Sequence, residues 1–367
     1  MIFLRRSALL IALALASTAF AANARKSPTR PAAVDNATAY KGAIVVDAAT
    51  GNVVFEDRAD VVTPPASMTK LMTFAVLHDK LASGALTLAT PVKVTAEDAK
   101  MGGTQVFLDP RETFPIEELI YAMMIQSAND AAHALARVAG GSVEAFVELM
   151  NAKARELGMT HTTFRTPHGL PPATRKTADG DLTTPRDYAR LSRHLLLHTD
   201  ATKYTSIRLR AFGAGVRPQT MAMKNHNNLL GKVGGIDGLK TGFTAGAGFC
   251  LAATAERNGR RVVVVAMGSP DAKTRDLKVA EMMERGFAAI PPGSSPFPAP
   301  KPATPSAPIA TAAPTGATTS PAAAASPAAA TAPAASPMTA APKSAAPAKP
   351  ADANDAGIKF AIPSAKK

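Results

Sequence analysis

The residues best suited to chemistry lie in Pro65-Ala66-Ser67-Met68-Thr69-Lys70, where a serine and a lysine stand three apart at the start of a helical pattern. That spacing sets both side chains on one helix face. A serine hydroxyl is a weak nucleophile until a base within hydrogen-bond reach takes its proton, and a neutral lysine one turn away can serve. Alone, the pair is an ordinary helix start with an exposed lysine. Two further groups follow in order, Ser127-Ala128-Asn129 and Lys240-Thr241-Gly242. Together the three supply a nucleophile, a base, a second hydroxyl, an amide and a cation beside a hydroxyl, which is the equipment of acyl transfer through serine.

Those side chains need rigid elements beneath them. Ala43 to Asp47 and Val53 to Glu56 read as a hairpin around a Gly-bearing turn. Pro64 and Pro65 break the chain before a buried helix that begins at Ser67 and runs through Leu71, Met72, Ala75 and Val76. A helix from Phe114 to Ile125 ends just before Ser127, and a second starts near Asp130, so Ser127 and Asn129 fall on a short connection. Asp130 is expected as a helix N-cap and His133 as an ordinary helix residue. Helices follow at Val143 to Leu157 and from Thr184-Pro185 to His198; after about Ala201 the pattern reverts to strands. Gly248 to Ala255 and Arg261 to Met267 flank Asn258-Gly259, a hairpin turn signal, and an apolar helix from Thr274 to Phe287 closes the body. The order implies an α+β fold: an antiparallel sheet flanked by helices, with a mostly helical subdomain inserted between its halves.

The ends differ from the body. Arg5 and Arg6 precede a short apolar run and small residues, so residues 1–24 read as a signal peptide cleaved near 21 or 24, followed by a linker over 25–40. Residues 41–290 form the expected catalytic domain. Residues 291–367 hold 17 of the 30 prolines and are otherwise mainly Ala, Ser and Thr, a low-complexity tail expected to act as a tether. Its closing stretch mixes apolar and basic residues that suit peripheral contact with an anionic envelope surface, although Pro363 argues against a stable amphipathic anchor. The leader sets the protein outside the cytoplasm, in the periplasm or cell envelope. The single cysteine, Cys250, lies in an apolar run and is expected to be a buried small hydrophobe. A net charge of +13 favours an anionic partner, but an exported chain without Trp and with four Tyr is a poor nucleic-acid binder.

The three groups, with Leu157-Gly158-Met159, Gly169-Leu170-Pro171 and Asp237-Gly238-Leu239-Lys240-Thr241-Gly242-Phe243-Thr244, resemble the low-molecular-mass penicillin-binding proteins that are serine D-alanyl-D-alanine carboxypeptidases. The resemblance covers about Ala43 to Phe287 and implies a β-lactamase-like fold. It implies that Ser67 forms an acyl-enzyme with stem pentapeptides of peptidoglycan, that Lys70 is its base and that Ser127 relays a proton to the leaving amine. Asn129 would hold the substrate amide, and Lys240 and Thr241 the terminal carboxylate. Gly242 would let the substrate backbone approach, and the backbone N–H groups of Ser67 and Phe243 would form the oxyanion hole. His226 is a candidate for the substrate rim. β-Lactams would be acylating inhibitors, and no cofactor or metal is implied.

Departures from the pattern are Arg111 where relatives often have glycine, Thr166 where asparagine is usual, and the low-complexity tail where many carboxypeptidases carry a β-rich domain. The shorter plan also occurs in related endopeptidases, which cut cross-links by the same chemistry. A class A β-lactamase would need a Glu-x-x-Leu-Asn segment past the second group, and the residues around Thr162 do not supply it. A zinc peptidase would need acid ligands spaced with His161 and His168, and none stands there. A non-catalytic wall-binding protein would suit the basic body, but need not retain all of these polar residues.

Overall fold

The computed structural model describes residues 39–291. Its frame is a five-stranded antiparallel sheet. From one edge to the other its strands are Val53–Asp57, Gly42–Asp47, Arg260–Ser269, Gly248–Arg257 and Ile236–Thr244. Alternate residues of these strands enter two separate cores. Ile44, Val46, Val263, Val265, Cys250 and Ala252 face one, while Ala43, Val45, Val262, Val264, Leu251 and Ala253 face the other. Burial on both faces explains why the strands read as unbroken apolar runs instead of alternating ones.

The second core is closed by the C-terminal helix (Ala272–Ala289), whose Val279, Met282, Met283 and Phe287 pack on the sheet. Ala39 and Tyr40, assigned to the linker from sequence, are buried in this core and belong to the domain.

The first core is closed by the inserted helices. The segment carrying Ser67 is a 3₁₀ turn (Ala66–Thr69) leading into the helix Lys70–Ala82, which is buried from Lys70 to Leu77. Against it pack Asn129–Gly140, Val143–Glu156 and Pro185–His198, while Ile116–Tyr121 packs on Asn129–Gly140 in the same core. The last starts as its sequence requires, with the Thr184 hydroxyl accepting from Asp187 N and proline in the first turn.

Several local expectations need correction. The helix expected through Ile125 changes to a π turn over Ala122–Gln126. Asn129 is the first residue of the next helix, not part of the connection. Asp130 does not cap that helix: buried in its first turn, its carboxylate accepts from Val106 N and Leu108 N and pins the loop between 102 and 108. A short helix (Ala201–Thr205) precedes the return to strands. No described helix is long and apolar enough to cross a membrane.

Candidate active site

The three groups converge where the edge strand Ile236–Thr244 meets the 3₁₀ turn. Ser67 is half-buried at the mouth, and Lys70 Nζ lies 3.1 Å from its Oγ. The same amine donates to Asn129 Oδ1 at 2.7 Å and to the carbonyl of His168 at 2.9 Å. Lys70 is fully buried, and desolvation, reinforced by the positive charge of Lys240, holds its pKa well below the usual lysine range, against the opposing pull of Asp181 and Asp130. Lys240 is itself buried and pushed down to about 7, first by desolvation and then by the guanidinium of Arg275.

Strand and turn touch through glycine. A Cβ on Gly242 would sit 2.5 Å from Pro65 O and 3.2 Å from Met68 N. Gly242 is thus required by the approach of the turn, a nearer reason than the substrate contact expected from sequence. Because Ile236–Thr244 is an edge strand among the described residues, its outer backbone groups are not taken by a described neighbouring strand and can accept an extended peptide. Phe243 is exposed and stacks on Phe249 with ring centroids 4.1 Å apart.

Ser127 adopts left-handed backbone angles, φ 66° and ψ 30°, at the end of the π turn. Such a conformation in a residue bearing a Cβ costs about 1–2 kcal/mol. It is held by Ala128 N donating to Ala122 O and Asn129 N donating to Thr104 O. The hydroxyl of Ser127 is buried but takes no part in the Lys70 hydrogen bonds. Asn129 uses its carbonyl on Lys70, while its Nδ2 donates to Gly102 O at 2.7 Å. Its amide therefore orients Lys70 while its Nδ2 is already engaged by the Gly102 carbonyl.

His226 is exposed between the buried Asn225 and Asn227, whose amides fix the segment to Thr205 O and Gly238 O. Crowding by protein, then the charges of Lys240, Lys70 and Arg275, push its imidazole down to about 4. The departure at Arg111 is local: its guanidinium is exposed and pairs with Asp109. Cys250 is buried, and desolvation raises its thiol to about 11.

Sequence reasoning missed the layer beneath Ser67. Asp181, 4% exposed, accepts from Thr69 Oγ1 at 2.7 Å, Thr166 Oγ1 at 3.0 Å, Arg165 N at 2.7 Å and Thr166 N at 3.0 Å. Thr166, the departure from the usual asparagine, also accepts from Gly169 N at 2.8 Å. This fixes the strap whose Pro167 and His168 carbonyls accept from Thr73 and Lys70. His168 is buried, and desolvation with the Lys70 charge lowers it to about 3. Arg275, buried beside Asp276, supplies the second cation near Lys240. It lies 35 positions beyond Lys240 with no local pattern to mark it, whereas the Asp in Gly180-Asp181 could have been flagged as an acid near the strap.

Among the described residues, no three metal-ligating side chains converge. A cleft of about 410 Å³ elsewhere, lined by Ile44, Arg186, Arg193 and His194, holds no hydroxyl or thiol nucleophile, so volume alone does not locate the chemistry.

A family model described as D-alanyl-D-alanine carboxypeptidase (peptidase S11) matches residues 26–271. The chain is similar to the D-alanyl-D-alanine carboxypeptidase DacF of Bacillus subtilis, 33% identical over 284 residues, covering 77% of this chain and 70% of that one. It is 35% identical to DacC of Escherichia coli over 251 residues, 66% of this chain and 60% of the relative, which it therefore spans only in part. A D-alanyl-D-alanine endopeptidase of Pseudomonas aeruginosa is 33% identical over 243 residues, 64% of this chain and 73% of its own. Among solved structures, penicillin-binding protein D2 of Listeria monocytogenes in its ampicillin-bound form is similar with a TM-score of 0.60 and 30% identity, covering 68% of this chain and 97% of that chain.

Proposed function

The chain belongs to the D-alanyl-D-alanine carboxypeptidase family, and from that premise we propose that it removes the terminal D-alanine of peptidoglycan stem pentapeptides through an acyl-enzyme on Ser67. The observation that carries this reading is the buried Lys70 amine, 3.1 Å from Ser67 Oγ, with two fixed acceptors on its other side. A neutral amine has two N–H groups and one lone pair. Asn129 Oδ1 and the His168 carbonyl take the two N–H groups, which leaves the lone pair directed at the serine proton.

Lys70 takes that proton as Ser67 Oγ attacks the carbonyl between the last two D-alanines. The backbone N–H groups of Ser67 and Phe243 stabilise the oxyanion, a contribution of about a hundredfold in rate per donor. The C–N bond breaks as Ser127 passes a proton to the leaving amine, and water then hydrolyses the acyl-enzyme. Lys240 and Thr241 hold the terminal carboxylate, with Arg275 adding positive potential and His226 standing at the rim. Asn129 positions both base and substrate amide.

β-Lactams acylate the same serine. Residues 160–170 contain no carboxylate to activate a deacylating water, so the penicilloyl-enzyme turns over slowly. The substrate lies in the cell envelope; the leader and tail that bear on delivery and retention there fall outside the described residues.

A second reading, endopeptidase action on cross-links, rests on the similarity to the Pseudomonas aeruginosa enzyme. The test is D-alanine release from a monomeric pentapeptide muropeptide, run beside a cross-linked dimer, with and without penicillin. Penicillin-sensitive release from the monomer is the expected result. Cleavage of the dimer alone would replace carboxypeptidase by endopeptidase, and inertness toward both would overturn the enzymatic reading.

A further inference from the structure

Beyond the end of the strand Ile236–Thr244 lies a cleft of about 380 Å³ between the Thr244–Gly246 turn and the segment 169–181. It is of a size for a single side chain or small ligand. Its floor and wall are apolar, formed by Pro64, Leu170, Pro171 and Pro172. The two sides stand close, since a Cβ on Gly246 would lie 3.9 Å from Thr177 Oγ1.

One free cation lines it. Arg175 is exposed, and among the described residues its guanidinium forms no ion pair. Its backbone is left-handed, φ 58°, a conformation that favours glycine. The surrounding turn maintains it: Arg175 N donates to Pro172 O, Thr174 Oγ1 to Asp179 at 2.7 Å, and Gly180 N to Thr177 O. Among the described residues the only carboxylate lining the cleft, Asp181, is buried and already accepts four hydrogen bonds from the strap and Thr69. The cleft therefore presents apolar walls and an unmatched positive charge.

The proposed reaction fixes what reaches it. With the terminal carboxylate at Lys240 and Thr241 and the attacked carbonyl between Ser67 and Phe243, the peptide runs along the strand Ile236–Thr244 toward Thr244. At about 3.3 Å per residue, the stem residue before the two D-alanines arrives at the Thr244–Gly246 turn.

We propose that this cleft is a specificity site for that residue, taking a long aliphatic side chain that ends in a carboxylate, with Arg175 pairing to the carboxylate. The inference rests on the carboxypeptidase reading. It distinguishes a stem bearing a diamino diacid from one bearing a diamino monoacid.

The test uses two soluble pentapeptides that differ only in that residue, meso-diaminopimelate or lysine, with kcat/KM read from D-alanine release. The wild type should prefer the diacid peptide by about fivefold, the worth of one partly exposed charge pair. Arg175→Gly suits the left-handed backbone and should keep or exceed the wild-type thermal midpoint while bringing the ratio to about one. Arg175→Lys, which keeps the charge but not the fork, should fall between. No preference in the wild type, or the same ratio in Arg175→Gly, would overturn the proposal. Release from neither peptide by the wild type would instead bring down the carboxypeptidase reading, and this proposal with it.

Discussion

At the scale of the residue, the two buried lysines do opposite work. In the proposed mechanism Lys70 must be neutral to accept a proton, whereas Lys240 must be charged to hold a carboxylate, and the charge of Lys240 lowers the affinity of Lys70 for its proton. Protonation of Lys70 gives an acidic limb to kcat/KM. Loss of charge on Lys240, whose pKa is pushed down to about 7, gives an alkaline limb in the free enzyme. As coupled groups they titrate as a pair, so the profile is a bell whose two limbs belong to both. Lys240→Arg keeps a permanent cation and should remove the alkaline limb while the acidic one persists. An alkaline limb unchanged in that variant would mean that another group sets it. Ser127 offers a second residue-scale test, because its φ of 66° is strained and its hydroxyl is assigned the proton relay. Ser127→Gly should gain about 1 kcal/mol of stability in chemical denaturation while losing about a hundredfold or more in kcat. Retained turnover would remove the relay role.

At the scale of elements, activity depends on the strand Ile236–Thr244 lying against the turn Ala66–Thr69. Gly242→Ala would put a methyl 2.5 Å from Pro65 O, forcing strand and turn apart. The expected outcome is a folded protein that has lost about a hundredfold in kcat/KM, as a displacement near 1 Å can cause, with a stability loss of about 1–3 kcal/mol. Activity within a fewfold of wild type would show that the contact does not set the site. The strands and main helices were legible in sequence because apolar runs, Asn258-Gly259 and Thr184-Pro185 are local signals. The π turn at Ala122–Gln126 was not, since it keeps the apolar pattern of the helix it ends. Asp130 was misread for a similar reason. An acid at a helix start reads as a cap, and only the tertiary fold brings Val106 N and Leu108 N to it.

At the scale of the whole molecule, the site is shared between halves that the sequence separates. Ser67 and Lys70 stand at the junction, Ser127 and Asn129 come from the inserted helices, and Lys240 to Phe243 come from the edge of the sheet. The motif residues announce themselves by type and spacing. Their supports, Asp181 under the strap and Arg275 behind Lys240, do not, because burial and long-range contact define them. The most direct test of this assembled site is mass spectrometry of the full chain after brief treatment with penicillin, followed by peptide mapping. The expected result is one adduct per chain on the peptide containing Ser67, absent from Ser67→Ala. An adduct on any other residue, or one that persists in Ser67→Ala, would contradict the assignment of the nucleophile.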